Sequence, residues 1–227
     1  VMVLLAAPFR APTLLRPSHP LPQGNHAVGA LRGRLPAASE APGAPRRLQK
    51  GLLAQVHYPV EQHAKQFGTP SFEYCRPEVV QAIADGYSIP RFVLNTLLAG
   101  QAQVDASCFP KQSKEECGWP IVIFSSGLWG CCEMYTQLCR ELASAGAIVI
   151  ALEHEDGSGI VAYDEATGKV IDYVEQPEWP YDTVAFNRPF LERRAREVEQ
   201  TIAGLRAAAP AAAVAEGWDA EAVADAP

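Results

Sequence analysis

The sequence predicts an α/β protein, and three features carry that expectation. Residues 120–125 (PIVIFS) form a continuous β-branched and aromatic run, the pattern of a strand buried on both faces. Residues 147–152 (AIVIAL) repeat it. Between them, Glu133–Ala145 places Met134, Leu138 and Leu142 along one side of a helix, and Gly146 stands where a helix C-terminus needs positive φ. Strand, helix and strand in close succession form a parallel βαβ unit.

The flanking elements follow in order. Gly51–Pro59 holds a short strand, with Leu53, Val56 and Tyr58 among polar residues, and Pro59 is expected to end it because proline cannot donate to a ladder. Pro77–Leu98 is helical in two pieces, broken at Pro90. Residues 101–118 are polar and suit a surface loop. Residues 161–174 spell a hairpin turning at Ala166-Thr167-Gly168. Asn187-Arg188-Pro189 is expected to open a long helix. Its apolar stripe runs through Leu191, Ala195, Val198, Ile202 and Leu205. Glu192–Arg196 and Arg193–Glu197 then form i,i+4 pairs on the opposite face.

Composition bounds the function. The chain has 227 residues, 48% apolar and 20% charged, which excludes wholesale disorder. No apolar run reaches the length of a membrane span. The net charge of −7 argues against nucleic acid as a partner, since phosphate binding needs a basic face. Charge is unevenly spread: residues 1–50 carry seven basic residues and one acidic, with eight prolines. Residues 1–20 therefore form a poorly packed Pro/Arg-rich leader, 21–206 the globular body, and 207–227 an alanine-rich acidic linker. The chain begins at Val1, and Val1–Ala7 is too short for a signal-peptide core. The compartment stays open between secreted, cytoplasmic and organellar.

Six cysteines fit no zinc spacing, and free buried thiols are expected, with a Cys108–Cys117 disulfide as the alternative for a secreted chain. Phe124–Leu128 lies where a buried strand turns toward a helix, and the amides after such a glycine turn can stabilise an oxyanion. On pattern alone a structural glycine turn is the better reading. His154 lies among Glu153, Glu155 and Asp156, where a general base or metal ligand is conceivable and a hydrogen-bonded loop histidine is favoured. In an extended segment Glu153 and Glu155 share a face and His154 does not. None of the ten serines centres a G-x-S-x-G elbow, and no histidine follows His154. Cys131 and Cys132 lack an obvious activating histidine.

Several stretches together resemble the platelet-activating-factor acetylhydrolases, lipases of the α/β-hydrolase fold. Residues 22–29 (PQGNHAVG) resemble that family's opening motif, and 53–59 (LAQVHYP) its first strands. Residues 119–128 (WPIVIFSSGL) are similar to its P-x-x-x-F-S-H-G-L segment, and 142–149 to its L-A-S-x-G-x-x-V run. Glu153-His154 with Asp156-Gly157-Ser158-Gly159 resembles its E-H-R-D-G-S motif, and 188–205 the arginine-rich helix before its nucleophile strand. Two departures matter: Ser126 replaces the histidine of F-S-H-G-L, and Glu155 replaces the arginine of E-H-R-D.

The resemblance implies a partial α/β-hydrolase fold, with a mostly parallel sheet flanked by helices. It implies hydrolysis of a short or oxidised sn-2 acyl chain from a glycerophospholipid, by serine attack and without metal or organic cofactor. It carries over the Leu128 amide as an oxyanion donor, Gly127 as the glycine supporting it, and Trp129 as a residue narrowing or lining the acyl pocket. It places the family's serine elbow beyond residue 227, so the chain alone is expected to be inactive. Its partner would be a phospholipid or lipid aggregate, with peripheral membrane contact. The rival readings are a non-catalytic lipid-binding or interaction module and a truncated product without a stable fold.

Overall fold

The computed structural model describes residues 22–37, 51–60, 72–73, 75–98, 101–102, 118–164 and 169–215. The elements run β1 (Ala27–Arg34), β2 (Leu53–Val60), β3 (Phe72–Glu73), α1 (Pro77–Gly86), α2 (Arg91–Leu98), β4 (Gln101–Ala102) and β5 (Ile121–Ser125). A 3₁₀ turn (Cys132–Tyr135) leads into α3 (Thr136–Ser144), followed by β6 (Ile148–Leu152), β7 (Val161–Asp164), β8 (Lys169–Asp172) and α4 (Thr183–Ala215). The fold is α/β.

A four-stranded sheet in the order β1-β2-β6-β5 forms its centre. β5 and β6 are parallel, with Ile121 beside Ile148 and Ser125 beside Leu152. β1 with β2 and β2 with β6 are antiparallel, so the parallel character among the described residues lies in the β5–β6 pair. The pleat assigns the two faces of β6. Val149 and Ala151 pack with Val28, Cys139 and Ala143 under α3. Ile150 and Leu152 pack with Ala54, Leu35 and, from α4, Val198 and Leu205. Helices therefore cover both faces, as an α/β layer requires. A third cluster joins Val79, Val80, Ala84 and Leu94 of α1 and α2 to Cys131, Ile160 and Val161, with Trp129 at its margin.

Several expectations are corrected. β5 is only partly covered, because it is the edge strand of the described sheet. β2 runs through Pro59 to Val60; its ladder with β6 ends at His57, so the missing N–H costs nothing on that side. The helix expected from Glu133 begins as a 3₁₀ turn, and Met134 and Leu138 are exposed. α3 instead buries Thr136, Cys139, Arg140 and Ala143, because β2 offers it the polar side chains Gln55 and His57.

α4 opens at Thr183 rather than Asn187. Asp182 Oδ1 accepts the amides of Val184 and Ala185, each at 3.0 Å, an N-cap that outcompetes the later Asn-Arg-Pro. Its buried side is Arg194, Glu197, Thr201 and Gly204, while Leu191 and Ile202 are exposed. The helix faces polar loops, so the polar stripe is the one that finds partners. It continues past residue 206 to Ala215. The leader, residues 103–117 with Cys108 and Cys117, the hairpin turn and residues 216–227 lie outside the described residues. Cys75, Cys131, Cys132 and Cys139 are free and buried, as expected.

Candidate active site

Parallel strands bring their carboxyl ends together, and at that end of β5 and β6 three loops meet. β5 ends at Ser125, which is exposed. β6 ends at Leu152, directly beside it, and the chain reaches His154 two residues later. Ser125 Oγ and His154 Nε2 are 2.8 Å apart. His154 Nδ1 is 2.7 Å from Glu197 Oε2 on α4. A carboxylate only accepts, so Nδ1 carries the proton toward Glu197. In the neutral ring Nε2 is then the acceptor, and the Ser125 hydroxyl donates to it. Arg193 Nε donates to the other oxygen, Glu197 Oε1, at 2.9 Å, and holds the carboxylate in place. His154 and Glu197 are buried.

The turn after Ser125 is braced from the same two elements. Arg194 is buried, which pushes its guanidinium below the usual range. Its NH1 donates to the Ser126 carbonyl at 2.5 Å and its Nε to Ser158 Oγ at 2.8 Å. Ser158 Oγ donates to Asp156 Oδ1 at 2.5 Å, and the Trp129 amide donates to the Ser158 carbonyl at 2.7 Å. The D-G-S loop thus clamps the S-S-G-L turn. Gly130 N donates to Gly127 O at 3.0 Å and closes the turn. Just before those two used amides in the chain, the Leu128 amide has no backbone acceptor among the described residues.

The left-handed residue of this turn is Trp129 (φ 64°), not Gly127. Gly130 is the glycine the packing demands, since a Cβ there would lie 3.0 Å from the Gly127 carbonyl. Trp129 turns toward the end of α1, where its ring packs edge-on against Tyr87 at 4.8 Å. Leu128 is exposed. Ser126, in place of the expected histidine, is buried and linked to Arg194 through its carbonyl. Glu155 reverses a charge, but Arg34 answers it with two hydrogen bonds of 2.6 and 3.0 Å. Glu153 and Glu155 do not share partners: Glu153 turns inward to Cys132 and Arg76.

That inward group is the one set with metal-ligand chemistry among the described residues. Ligand atoms of Cys132, Glu133 and Glu153 lie within 4.8 Å of one another. Their counter-cation is already a guanidinium: Arg76 binds both oxygens of Glu133 and stands 3.4 Å from Glu153 Oε2. Arg32 adds a contact to Glu133 at 3.2 Å. Burial pushes Cys132 well up, and the Cys132 thiol donates to Glu153 at 2.9 Å. Burial, then Glu133, pushes Glu153 up to about 7 against the pull of Arg76. Burial also works to raise Glu133, but Arg76 and Arg32 outweigh it and hold that carboxyl low.

Ser125 and Glu197 escaped the sequence reading. The signal for Ser125 was present, since parallel pairing sets the ends of 120–125 and 147–152 side by side. Glu197 was read only as a solvent partner of Arg193. That pair exists at 2.9 Å, but it joins an exposed Arg193 to a buried Glu197.

An α/β sheet with helices on both faces, and a glycine turn clamped above the carboxyl end of its parallel strands, is the arrangement in which α/β enzymes place their sites. The chain belongs to the family described as platelet-activating factor acetylhydrolase, isoform II, whose model matches residues 19–210. It is similar to a Schizosaccharomyces pombe protein named for phospholipase A2, with 33% identity over 94 residues, 38% of this chain and 22% of that one. It is also similar to a Canis lupus familiaris protein named platelet-activating factor acetylhydrolase, with 29% identity over 91 residues, 37% of this chain and 20% of that one. The matched segment thus spans about a fifth of these relatives. Among solved structures, a ferulic acid esterase from Streptomyces cinnamoneus is similar, with 20% identity and a TM-score of 0.49 over 77% of this chain and 46% of that one. Among the described residues no helix is long and apolar enough to cross a membrane.

Proposed function

We propose that the protein takes part in hydrolysing the sn-2 ester of glycerophospholipids that carry a short or oxidised acyl chain. The observation that carries this reading is the Leu128 amide, left out of backbone pairing on a turn whose next two amides are both used. In ester hydrolysis negative charge develops on the carbonyl oxygen, and a fixed, unspent N–H is what stabilises it. Gly130 helps to fix it. A peptide is planar and trans, so the Gly130 amide that holds the Gly127 carbonyl turns the Leu128 N–H the opposite way. Gly127 supports the turn by accepting from Gly130. Trp129, packed on Tyr87, would close the acyl side, and the exposed Leu128 side chain would meet the lipid.

The test is vesicles containing a 1-alkyl-2-acetyl glycerophosphocholine, with a long-chain diacyl lipid in parallel. Acetate release from the first and none from the second is expected. L128P deletes the amide and should lower acetate release by roughly 10²–10³. Co-sedimentation of the protein with vesicles and no release from either lipid would favour the alternative, a lipid-binding module without catalysis.

A further inference from the structure

We propose that Gly86 and Tyr87, at the end of α1, are positioning residues for the turn that presents the Leu128 amide, and that they act through Trp129. Their bearing on catalysis rests on the ester-hydrolase reading; the coupling itself does not. Gly130 N donates to Gly127 O, so Leu128 and Trp129 are the two central residues of a tight turn, with Trp129 left-handed at the second of them (φ 64°). Glycine or asparagine normally fills that place, because a larger side chain there crowds the backbone. A tryptophan stays in it only where its surroundings over-determine it. Its amide is held by the Ser158 carbonyl at 2.7 Å, and its ring is held by α1.

The seat on α1 is cut to the indole. A Cβ on Gly86 would lie 2.7 Å from Trp129 Cζ2, closer than non-bonded carbons approach. Tyr87 closes the next side edge-on, with ring centroids 4.8 Å apart. Gly86 is not there for its backbone: it is the last residue of α1, and the left-handed residue beyond the helix is Ser88 (φ 53°). Ile89 N donates to Ala84 O at 2.9 Å across that end, so the seat cannot slide without breaking the helix stop. Glycine in a helix is less stable than alanine, because it loses more freedom on folding. At position 86 the missing methyl is the room the ring occupies. Behind the seat, Val80 and Ala84 share one apolar cluster with Cys131 and Ile160, and Trp129 packs against it. A displacement of α1 therefore reaches the turn.

The test is a mutant cycle on the 227-residue chain, read by melting and by NMR. In the wild-type background G86A should lower the melting midpoint, because the methyl meets the ring. In W129G the ring is gone and helix propensity alone is left, so G86A should raise the midpoint. The same sign in both backgrounds overturns the seat. Positioning is read at the turn itself, in protein isotope-labelled at leucine nitrogen. The Leu128 amide cross-peak should shift in G86A and in Y87A, hold its place in Y87F, which keeps the ring edge, and ignore G86A once Trp129 is replaced by glycine. A Leu128 peak unmoved by G86A and Y87A in folded protein overturns the positioning role and leaves Gly86 a packing residue. Acetate release separates this proposal from the reading beneath it. If wild type releases acetate, G86A should lower kcat by up to roughly 10²-fold with KM held, and an unchanged kcat overturns the role in the reaction. If wild type releases none, the phospholipid reading fails, while the cycle and the Leu128 peak still decide the coupling.

Discussion

Two buried histidines of this protein sit on neighbouring parts of one sheet, and their surroundings could hardly differ more. His154 lies between a carboxylate and an exposed serine. His57, on β2, touches Gln55 at 2.9 Å, and Gln55 reaches on to Thr136 at 2.9 Å. Burial pushes His57 down to about 3, and the positive charges of Arg140 and Arg32 add to that. Burial alone therefore says little about a histidine. His154 instead has a carboxylate at one ring nitrogen and a hydroxyl at the other. His57 has cations beside it and is held neutral as a packing element. The same contrast separates the glutamates: Glu197 orients a ring at an open corner, whereas Glu133 and Glu153 are sealed around Arg76.

The sharpest test of the sealed side is Arg76→Ala. Glu133 and Glu153 are almost fully buried, and Arg76 contacts both. Removing one partner of a buried ion pair leaves uncompensated charge and costs about 3–5 kcal/mol. Urea unfolding should show that loss. A loss under 1 kcal/mol would mean that the glutamates are already neutral or hydrated, and the contrast with the open corner would weaken.

On the open side, Arg194→Lys should cost less stability and more function. Lysine keeps a charge but cannot bridge the Ser126 carbonyl and Ser158 Oγ in one planar fork. Hydrogen bonds from a charged group contribute about 1.5–3 kcal/mol, of which lysine retains part. Acetate release should fall more than the stability change accounts for. Proportional losses in both would reduce Arg194 to a strut.

Proton linkage sets two groups of the buried side, His57 and Glu153, against each other more gently. Unfolded, His57 titrates near its ordinary 6.5 and Glu153 near 4.5; folded, they sit at about 3 and about 7. Between pH 4.5 and 6.5 the unfolded chain holds the proton on His57, and the folded chain holds one on Glu153. Their effects on stability oppose, and together they leave it nearly independent of pH in that window. Glu153→Gln removes the folded-state proton only. Stability of that variant should fall on acidification from pH 6.5 to 4.5 by about 1.4 kcal/mol per pH unit more steeply than wild type. Parallel curves for the two proteins would show that Glu153 carries no such proton.

The same contrast explains what was legible in the sequence. The βαβ unit was readable because β5 and β6 are continuous apolar runs and Gly146, at φ 108°, ends α3. The clamped turn was readable from S-S-G-L and D-G-S. The buried faces of α3 and α4 were not, because apolar periodicity assumes that a helix buries its greasy side. Here Arg194 and Glu197 are buried because each finds a charged or polar partner on the element it faces, and Leu138 and Leu191 stay outside. Partner identity across 40 or more residues of chain, such as Glu197 with His154, leaves no local signature.

The smallest effect tests whether the open corner depends on the helix as a whole or only on its middle. Asp182 caps α4 with two amide bonds, and Asp182→Ala should cost about 1 kcal/mol. Arg193 lies three turns further along, about 16 Å at 1.5 Å per residue, beyond the reach of end fraying. Val198 and Leu205 pin that middle section to the sheet independently of the cap. The cap variant should therefore melt earlier while the His154 ring resonances in an NMR spectrum keep their wild-type positions below the transition. If they move in step with the lost stability, the Glu197–His154 contact is set by the start of the helix. The corner would then be a feature of α4 as a rigid rod rather than of the packing around Val198.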